Sequence, residues 1–241
     1  MSKSKNTASG RRKRSSGGGK RRITALVAVI VLIAAVAASV LIIGKLKSRG
    51  SEMNSKGLLA YEEGDYETAL AYFDQALSYD DDDPGILLNK AQTLTAMGRY
   101  KEALAVYDDA LRRSSSAGII EKAFRGKAYT YYALDDKANA ETYLEKLMEY
   151  GYAYYGDNGL YGIILYSDGQ TDRAMEQFDI YLAAAPDGDI LMRDVLFARV
   201  CYYEYRKDWS EAGKAVNRLL EKYPDDEEGL HEKTFIESRL Q

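Results

Sequence analysis

The sequence predicts an all-α protein in which one transmembrane helix precedes an α-solenoid of about five helix-turn-helix repeats and a C-terminal capping helix. Three observations lead to this prediction. An apolar run of 21 residues lies near the N-terminus, a motif recurs beyond it, and the charge of the chain divides between the two parts. An apolar run of that length is typical of a membrane span, and a fixed repeat period of roughly 20 to 50 residues is typical of solenoids.

The net charge changes sign near residue 49. Residues 1–49 contain 12 basic residues and no acidic one, whereas the rest of the chain contains 21 basic and 37 acidic residues, a net charge of −16. An acidic domain is not expected to bind nucleic acid, and its charge favours a basic or neutral partner. Composition therefore predicts a disordered basic tail at residues 1–22 and, after the apolar run, a short linker at residues 44–51.

The predicted transmembrane helix covers residues 23–43, where only Thr24 and Ser39 are polar. A helix of this length is roughly 30 Å long and matches a bilayer core. Nine basic residues precede it and three follow it, so the positive-inside rule places the N-terminus in the cytoplasm and the acidic domain outside. A cleavable signal peptide is the alternative, because small residues precede Ser39.

The repeats appear as a motif that runs from a glycine through an alanine to a leucine. The copies at residues 64–77 and 98–111 share the pattern G-x-Y-x-x-A-x-x-x-[FY]-x-x-A-L, and a third copy at residues 169–182 keeps the glycine, the alanine and the aromatic residue. Two weaker copies fill the gaps, with spacings of 34, 37, 34 and 38 between successive key alanines. These alanines are Ala69, Ala103, Ala140, Ala174 and Ala212.

Helix signals flank each motif. Apolar residues at helical spacing lie before and after the glycine, so each copy predicts two helices joined by a turn. The glycine can adopt a positive φ at the end of the first helix. Asp65, Thr171 or Asp208 is then placed to cap the second helix. The five units are predicted at residues 52–83, 84–118, 119–153, 154–187 and 188–224.

The pattern resembles the tetratricopeptide repeat family, whose unit is a helix-turn-helix of about 34 residues. The resemblance covers residues 52–224, and the first, second and fourth copies match it closely. It implies that small residues let the two helices of each unit approach closely. In this sequence the resemblance assigns that role to Gly57, Ala91, Gly126 and Gly162, each paired with one of the key alanines.

Residues 225–241 are predicted to form the capping helix, because Leu230, Phe235, Ile236 and Leu240 lie there among charged residues. A terminal repeat needs such a partly polar outer face. The acidic residues at its start also favour a helix N-terminus.

The resemblance further implies a concave face lined by the first helix of each unit. Tyrosine is abundant, with 21 residues, and tyrosine rings are favoured in recognition because they bury a large area and keep a polar tip. The expected groove residues are Leu58, Tyr61, Gln92, Thr95, Lys127, Thr130, Tyr131, Ile163, Tyr166, Phe197, Cys201, Glu204 and Tyr205.

A protein-binding scaffold is the predicted function. Some members of the family hold a C-terminal peptide with a clamp of Lys, Asn and Arg side chains, but here Asn54, Leu58, Ile120 and Phe124 stand at most of those places and only Asn89 fits. The clamp is therefore not expected. The alternative is a module that binds cell-wall glycan, because tyrosine rings can stack on sugars.

Catalysis is not expected, and neither a cofactor nor a metal is predicted. His231 is the only histidine and Cys201 the only cysteine, so a histidine-based triad and a multi-cysteine zinc site are disfavoured. Catalysis by a carboxylate pair remains as a minor alternative. Acidic runs such as Asp80–Asp83 lack the spacing of a calcium loop and precede predicted helices, where they can cap. The absence of a disulfide pair and of an N-x-[ST] sequon favours a bacterial surface.

Overall fold

A computed structural model describes the backbone of residues 17–240 and the side chains of residues 26–240. Residues 1–16 of the predicted tail and Gln241 lie outside the described residues. Within residues 17–240 the chain forms eleven helices and no strand. They are α1 (Gly17–Glu62), α2 (Tyr66–Tyr79), α3 (Pro84–Ala96), α4 (Tyr100–Arg113), α5 (Ala117–Ala133), α6 (Lys137–Glu149), α7 (Tyr155–Ser167), α8 (Thr171–Ala184), α9 (Met192–Tyr205), α10 (Trp209–Lys222) and α11 (Glu227–Leu240).

The helices form a solenoid in which each helix packs mainly on its neighbours in sequence. The strongest packing joins α1 to α2, α3 to α4, α5 to α6, α7 to α8 and α9 to α10, and α11 covers the end of the array against α10 and α9. All five key alanines are fully buried between these pairs. The predicted all-helical repeat array and its C-terminal helix are therefore confirmed.

Helix α1 differs from its prediction because it is continuous. It includes residues 17–22, which were expected to belong to a disordered tail, and residues 44–51, which were expected to form a linker. Its apolar side chains from Leu26 to Ile43 are exposed, and this helix is long and apolar enough to cross a membrane by length and composition. Packing on the array begins at Gly50, whose backbone is buried against the end of α2. The prediction of a linker at residues 44–51 was wrong, because no residue there interrupts the helix.

The turns inside the repeats depend on one residue with a positive φ. Gly64, Gly98 and Gly169 have φ values of 81°, 72° and 77°, as the sequence predicted. In the third and fifth repeats the same place is taken by Asp135 and Lys207, at φ of 59° and 58°. A non-glycine residue in this region costs roughly 1–2 kcal/mol, so these two turns are held by the packing of their helices.

The second helix of most repeats begins at an aspartate cap. Asp65 Oδ1 accepts the backbone N–H of Thr68, and Asp208 Oδ1 accepts that of Glu211. The predicted cap at Thr171 was wrong. Thr171 is the first residue of α8, and Gln170 before it makes no side-chain capping bond.

The two helices of each repeat cross at residues set by the turn. The residue seven positions before the turn residue and the residue nine positions after it are buried in every repeat. A Cβ atom at Gly57 lies 2.6 Å from the Phe73 ring, and one at Gly162 lies 2.5 Å from the Phe178 ring, so only glycine fits. The pairs are Gly57 with Phe73, Ala91 with Tyr107, Ala128 with Leu144, Gly162 with Phe178 and Val200 with Val216.

Gly126 was therefore wrong as the crossing residue of the third repeat. The turn residue Asp135 places Ala128, two residues later, at that crossing. Gly126 instead lies against the ring of Tyr107 from the preceding repeat, where a Cβ would overlap the ring.

Candidate functional site

The concave side of the first three repeats contains an open pocket of about 520 Å³ between α1, α3 and α5. A neighbouring pocket of about 530 Å³ shares Leu88, Asn89 and Lys122 with it, so the two form one groove. We call it the N-terminal groove. Its main side chains are Asn54, Leu58, Tyr61, Leu88, Asn89, Gln92, Thr95, Lys122, Arg125 and Tyr129.

On α1 and α3 the predicted groove residues line this groove. Leu58 and Tyr61 extend from α1, and Gln92 and Thr95 face them from α3. Their positions follow from the crossings, since each lies one or four residues after Gly57 or Ala91 and so points to one side of its helix.

On α5 the predicted residues do not face the groove. Lys127 is 3% exposed, pairs with Asp108 of α4 and lies with its Nζ 4.5 Å from the centre of the Tyr143 ring. Thr130 is buried, with its hydroxyl 2.9 Å from that of Thr95. Tyr131 stacks on the Tyr143 ring at 5.8 Å. These three predictions were wrong, because counting from Gly126 instead of Ala128 rotates the assigned face by roughly 200°.

The groove face of α5 is formed instead by Lys122, Arg125 and Tyr129. Asp135 carries the signal that identifies them, because the crossing residue precedes every turn residue by seven positions. The corrected register also changes the comparison with the clamp, since Lys122 and Gly126 replace Ile120 and Phe124 beside Asn89. Helix α1 still offers Asn54 and Leu58, where the clamp needs other side chains.

Arg125 is held between the third and fourth repeats. Its guanidinium donates to both carboxylate oxygens of Asp157, to Glu121 at 3.0 Å and to the carbonyl of Tyr152 at 2.8 Å. It also lies 4.6 Å from the centre of the Tyr154 ring. Burial raises the pKa of Asp157 above its ordinary value, and the Arg125 pair opposes that rise. Arg125 is therefore largely occupied by its own neighbours.

Lys122 is the available cation of the groove. Its side chain is exposed, and among residues 26–240 it forms no ion pair within 4.0 Å. Asn89 lies nearby and donates from its side-chain amide to Asn54 at 2.9 Å, which leaves its amide oxygen and second N–H for a ligand. An ammonium beside a carboxamide can bind a carboxylate or a backbone carbonyl.

The groove tyrosines are neutral hydrogen-bonding groups. Burial raises the pKa of Tyr61, and burial together with a hydrogen bond to Tyr154 raises the pKa of Tyr129. Both rings are half-buried, so they offer an apolar face while their hydroxyls stay protonated near pH 7.

The predicted residues of the last two repeats form a separate region. Ile163, Tyr166 and Phe197 pack half-buried against the core, and Tyr205 is 86% exposed. Burial raises the pKa of the Cys201 thiol to about 11, so it is not a thiolate near neutral pH.

Glu204 meets the capping helix in this region. Burial and then a hydrogen bond with Glu232 of α11 raise its pKa to about 7. Among the described side chains, its Oε1 atom is buried without a hydrogen-bond partner.

The acidic run before α3 has structural roles. Asp83 caps α3 by accepting the backbone N–H of Gly85 at 2.8 Å, Asp80 pairs with Lys47 at 3.4 Å, and Asp82 pairs with Arg113. In the part of the chain that the structure describes, no three His, Cys, Asp or Glu side chains are grouped to hold a metal ion.

Known proteins resemble the helical array. Family models described as tetratricopeptide repeat match residues 60–115 and 198–226. The TPR repeat-containing thioredoxin TTL4 of Arabidopsis thaliana is 32% identical over 97 residues, which cover 40% of this chain and 14% of that protein. The Hsp70-Hsp90 organizing protein of Triticum aestivum is 37% identical over 57 residues, covering 24% of this chain and 10% of that protein. The matches thus span only a small part of either relative.

Solved structures share the fold. YrrB, described as a TPR protein with an unusual peptide-binding site, has a TM-score of 0.59 at 21% identity and covers 76% of this chain and 90% of its own. A tetratricopeptide repeat protein of Parabacteroides merdae gives 0.61 at 16% identity, covering 80% and 74%. MamA of Desulfovibrio magneticus gives 0.61 at 17% identity, covering 74% and 97%. The matches to family models and the shared fold together support the tetratricopeptide repeat family for this chain.

Proposed function

We propose that this protein is a membrane-tethered scaffold that binds a peptide segment of a partner protein in the N-terminal groove. The carrying observation is the groove itself, in which two half-buried tyrosines, three amide side chains and one free lysine converge between three helices. Helical repeat proteins with this fold mediate protein–protein interaction, and binding without catalysis agrees with the side chains present.

The groove suits an extended segment with one acidic or carbonyl group. Tyr61 and Tyr129 offer rings on opposite sides, and Gln92 and Asn89 can pair with the backbone of a bound peptide. Lys122 gives the groove a local positive charge, although the domain is acidic as a whole. We propose that it meets a carboxylate of the partner.

The tether is helix α1. Its exposed apolar surface from Leu26 to Ile43 supports a transmembrane placement, and the excess of basic residues before it supports a cytoplasmic N-terminus with the repeats outside the cytoplasm. The absence of a disulfide pair and of an N-x-[ST] sequon fits a bacterial membrane, and we include that location in the proposal.

Photo-crosslinking in native membranes tests the groove. A photoreactive amino acid is placed at Tyr61, Tyr129 or Ile180, the last of which is half exposed on α8, outside the groove. We expect a shared adduct at the first two positions and none at Ile180. Lys122→Glu should weaken the Tyr61 adduct at least fivefold, whereas Lys101→Glu on exposed α4 surface should leave it unchanged. Absence of a specific adduct at both groove positions would contradict a groove ligand.

A further inference from the structure

The segments that connect one repeat to the next lie along one edge of the solenoid. We call this edge the loop edge and define it by residues 80–83, 114–116, 150–154, 185–191 and 223–226. Ion pairs join the first segment to the second and the fourth segment to the fifth. Arg113 at the end of α4 binds Asp82, Lys222 at the end of α10 binds Asp187, and Arg193 Nε donates to Asp226 at 2.8 Å. Because the two helices of each repeat are antiparallel, all five connections lie on the same edge of the array.

Helix α1 places this edge beside the proposed membrane. The apolar run ends at Ile43, and the helix continues without a break into the first repeat. Lys47 already contacts Asp80 of the loop edge. At Gly50, an added Cβ atom would lie 3.3 Å from the backbone carbonyl oxygen of Ala76. Four to seven helical residues span about 6–10 Å, which is comparable to the thickness of the headgroup layer on one side of a bilayer.

The near part of the loop edge has some of its acidic groups paired with basic side chains, whereas Asp81 and Asp83 form no ion pair among the described side chains. Asp80 and Asp82 pair with Lys47 and Arg113, and Asp109 pairs with Arg112 and Arg113. Exposed pairs of this kind add little to stability, but they reduce the negative charge that would repel an anionic lipid surface.

Farther along, the loop edge exposes aromatic and aliphatic side chains. Tyr150 is 56% exposed in the segment between α6 and α7, and Ile190 is 89% exposed before α9. Tyr150 also stacks on Tyr152 at 5.9 Å, which presents a paired aromatic surface. Tyrosine is enriched at the membrane–water interface because its ring and hydroxyl suit that layer.

We propose that the loop edge is a second membrane contact, with Tyr150 and Ile190 inserted among the headgroups of the bilayer that α1 spans. This inference rests on the transmembrane placement of α1 proposed above and commits to lipid as the occupant. It gives the array a fixed posture on the membrane, with the turns inside the repeats directed away from the lipid.

Quenching by spin-labelled lipids tests the contact on the full chain. In a Cys201→Ala background, a single cysteine at position 190, 205 or 43 carries an environment-sensitive fluorophore, and the protein is reconstituted into phosphatidylcholine–phosphatidylglycerol vesicles. Ile190 and Tyr205 form a matched pair, because they are 89% and 86% exposed and flank α9 at opposite ends, about 21 Å apart. A spin label on the lipid headgroup quenches the fluorophores at positions 190 and 205 according to their distance from the headgroups. A spin label on the acyl chain does the same for the fluorophore at position 43.

We expect headgroup quenching at position 190 at least twice that at position 205, with strong acyl-chain quenching at position 43. A label at Tyr150 should behave like the one at Ile190, which guards against a local effect of either substitution. Equal quenching at 190 and 205, with position 43 still quenched, overturns the loop-edge contact and leaves the tether standing. No acyl-chain quenching at position 43 overturns the tether and this inference together.

Discussion

The repeats with a glycine turn and those without one reach the same hairpin through different side chains. The first and fourth repeats pair a glycine with a phenylalanine at the helix crossing, whereas the third pairs Ala128 with Leu144 and the fifth pairs Val200 with Val216. In these four repeats the residue on the second helix shrinks as the residue on the first grows. The second repeat is the exception, since it pairs Ala91 with Tyr107, whose ring extends against Gly126 of the next repeat. Outside the second repeat, the crossing therefore conserves filled volume and not a particular residue, as expected of a close-packed interior.

The third repeat has polar links to both neighbouring repeats, and its link to the second repeat has a counterpart one repeat earlier, between Lys90 and Asp74. Lys127 is buried against Asp108 and the Tyr143 ring, and Arg125 reaches the fully buried carboxylate of Asp157. These contacts join α5 to both neighbouring repeats. The four changes below test the comparison, from the largest expected effect to the smallest.

Exchanging the crossing residues of one repeat for those of another should change stability most, because it changes the volume that fills the helix crossing. Gly162→Val alone should lower the free energy of unfolding by about 3 kcal/mol, because its Cβ meets the Phe178 ring. Phe178→Val alone should lower it by about 2–3 kcal/mol through the cavity that it leaves. The double variant copies the fifth repeat, and we expect it to recover at least about 1 kcal/mol relative to the sum.

Urea unfolding of the full chain gives these free energies. Gly118→Val is the matched control, since Gly118 lies in α5 with no atom within 4 Å of an added Cβ, and it should change stability little. If the losses in the free energy of unfolding from the two crossing substitutions were strictly additive, this would count against conservation of filled volume at the crossing.

Breaking the buried link of the third repeat comes next. Asp157→Asn should cost about 2 kcal/mol, because the Arg125 guanidinium, 22% exposed, loses its buried counter-charge. Asp172→Asn removes the partner of Arg206 in an exposed pair and should cost less than about 0.5 kcal/mol. Thermal unfolding followed by circular dichroism compares the two variants, and equal losses would show that the link does not join the repeats.

Restoring glycine to the third turn should have a smaller effect of the opposite sign. Asp135→Gly should raise stability by about 0.5–1 kcal/mol, because glycine adopts the φ of 59° without a steric penalty. The neighbouring Asp136→Gly should instead lower it by about 1 kcal/mol, since Asp136 caps α6 through the N–H of Asn139. Measured melting temperatures that move in the same direction would refute the assignment of Asp135 as the turn residue.

The pH dependence of the fifth repeat should be the smallest effect. Burial raises the pKa of Glu204 to about 7 from 4.5, so the folded chain binds more protons than the unfolded chain between these values. Its contribution to stability is therefore full below pH 4.5 and is lost as pH rises through 7. Because the side chain is partly exposed, we expect less than about 1 kcal/mol.

Melting curves from pH 5 to 8 measure this contribution. Glu204→Gln should remove the contribution of this carboxyl group to the slope of melting temperature against pH. Glu211→Gln, at the first turn of α10, should leave that slope unchanged. A slope that is the same in wild type and Glu204→Gln would rule out the raised pKa.

Local patterns in the sequence predicted the architecture well. The recurring glycine, alanine and aromatic residues identified five helix pairs and a cap, and the positive φ of Gly64, Gly98 and Gly169 followed from the turn position alone. The residues predicted on α1 and α3 line the N-terminal groove, because their repeats keep the regular spacing. Whether they bind a partner stays a prediction.

The errors occur where the spacing changes. Successive turn residues are 34 residues apart between Gly64 and Gly98 but 37 apart between Gly98 and Asp135. The three additional residues precede Ala128, in the connection and in the longer helix α5. Gly126 stood near the regular spacing and is itself small, so the sequence offered a plausible crossing residue in the wrong register.

The sequence by itself determined the number of repeats, the hydrophobic face of each helix and an apolar segment long enough to span a membrane, because periodicity and burial are properties of short stretches of chain. Only the tertiary structure decided which face of α5 lines the groove and that α1 continues unbroken into the first repeat. The physical reason is that a shift of two residues rotates a helical face by roughly 200°, and the packing against Tyr107, Asp108 and Tyr143 selects one rotation.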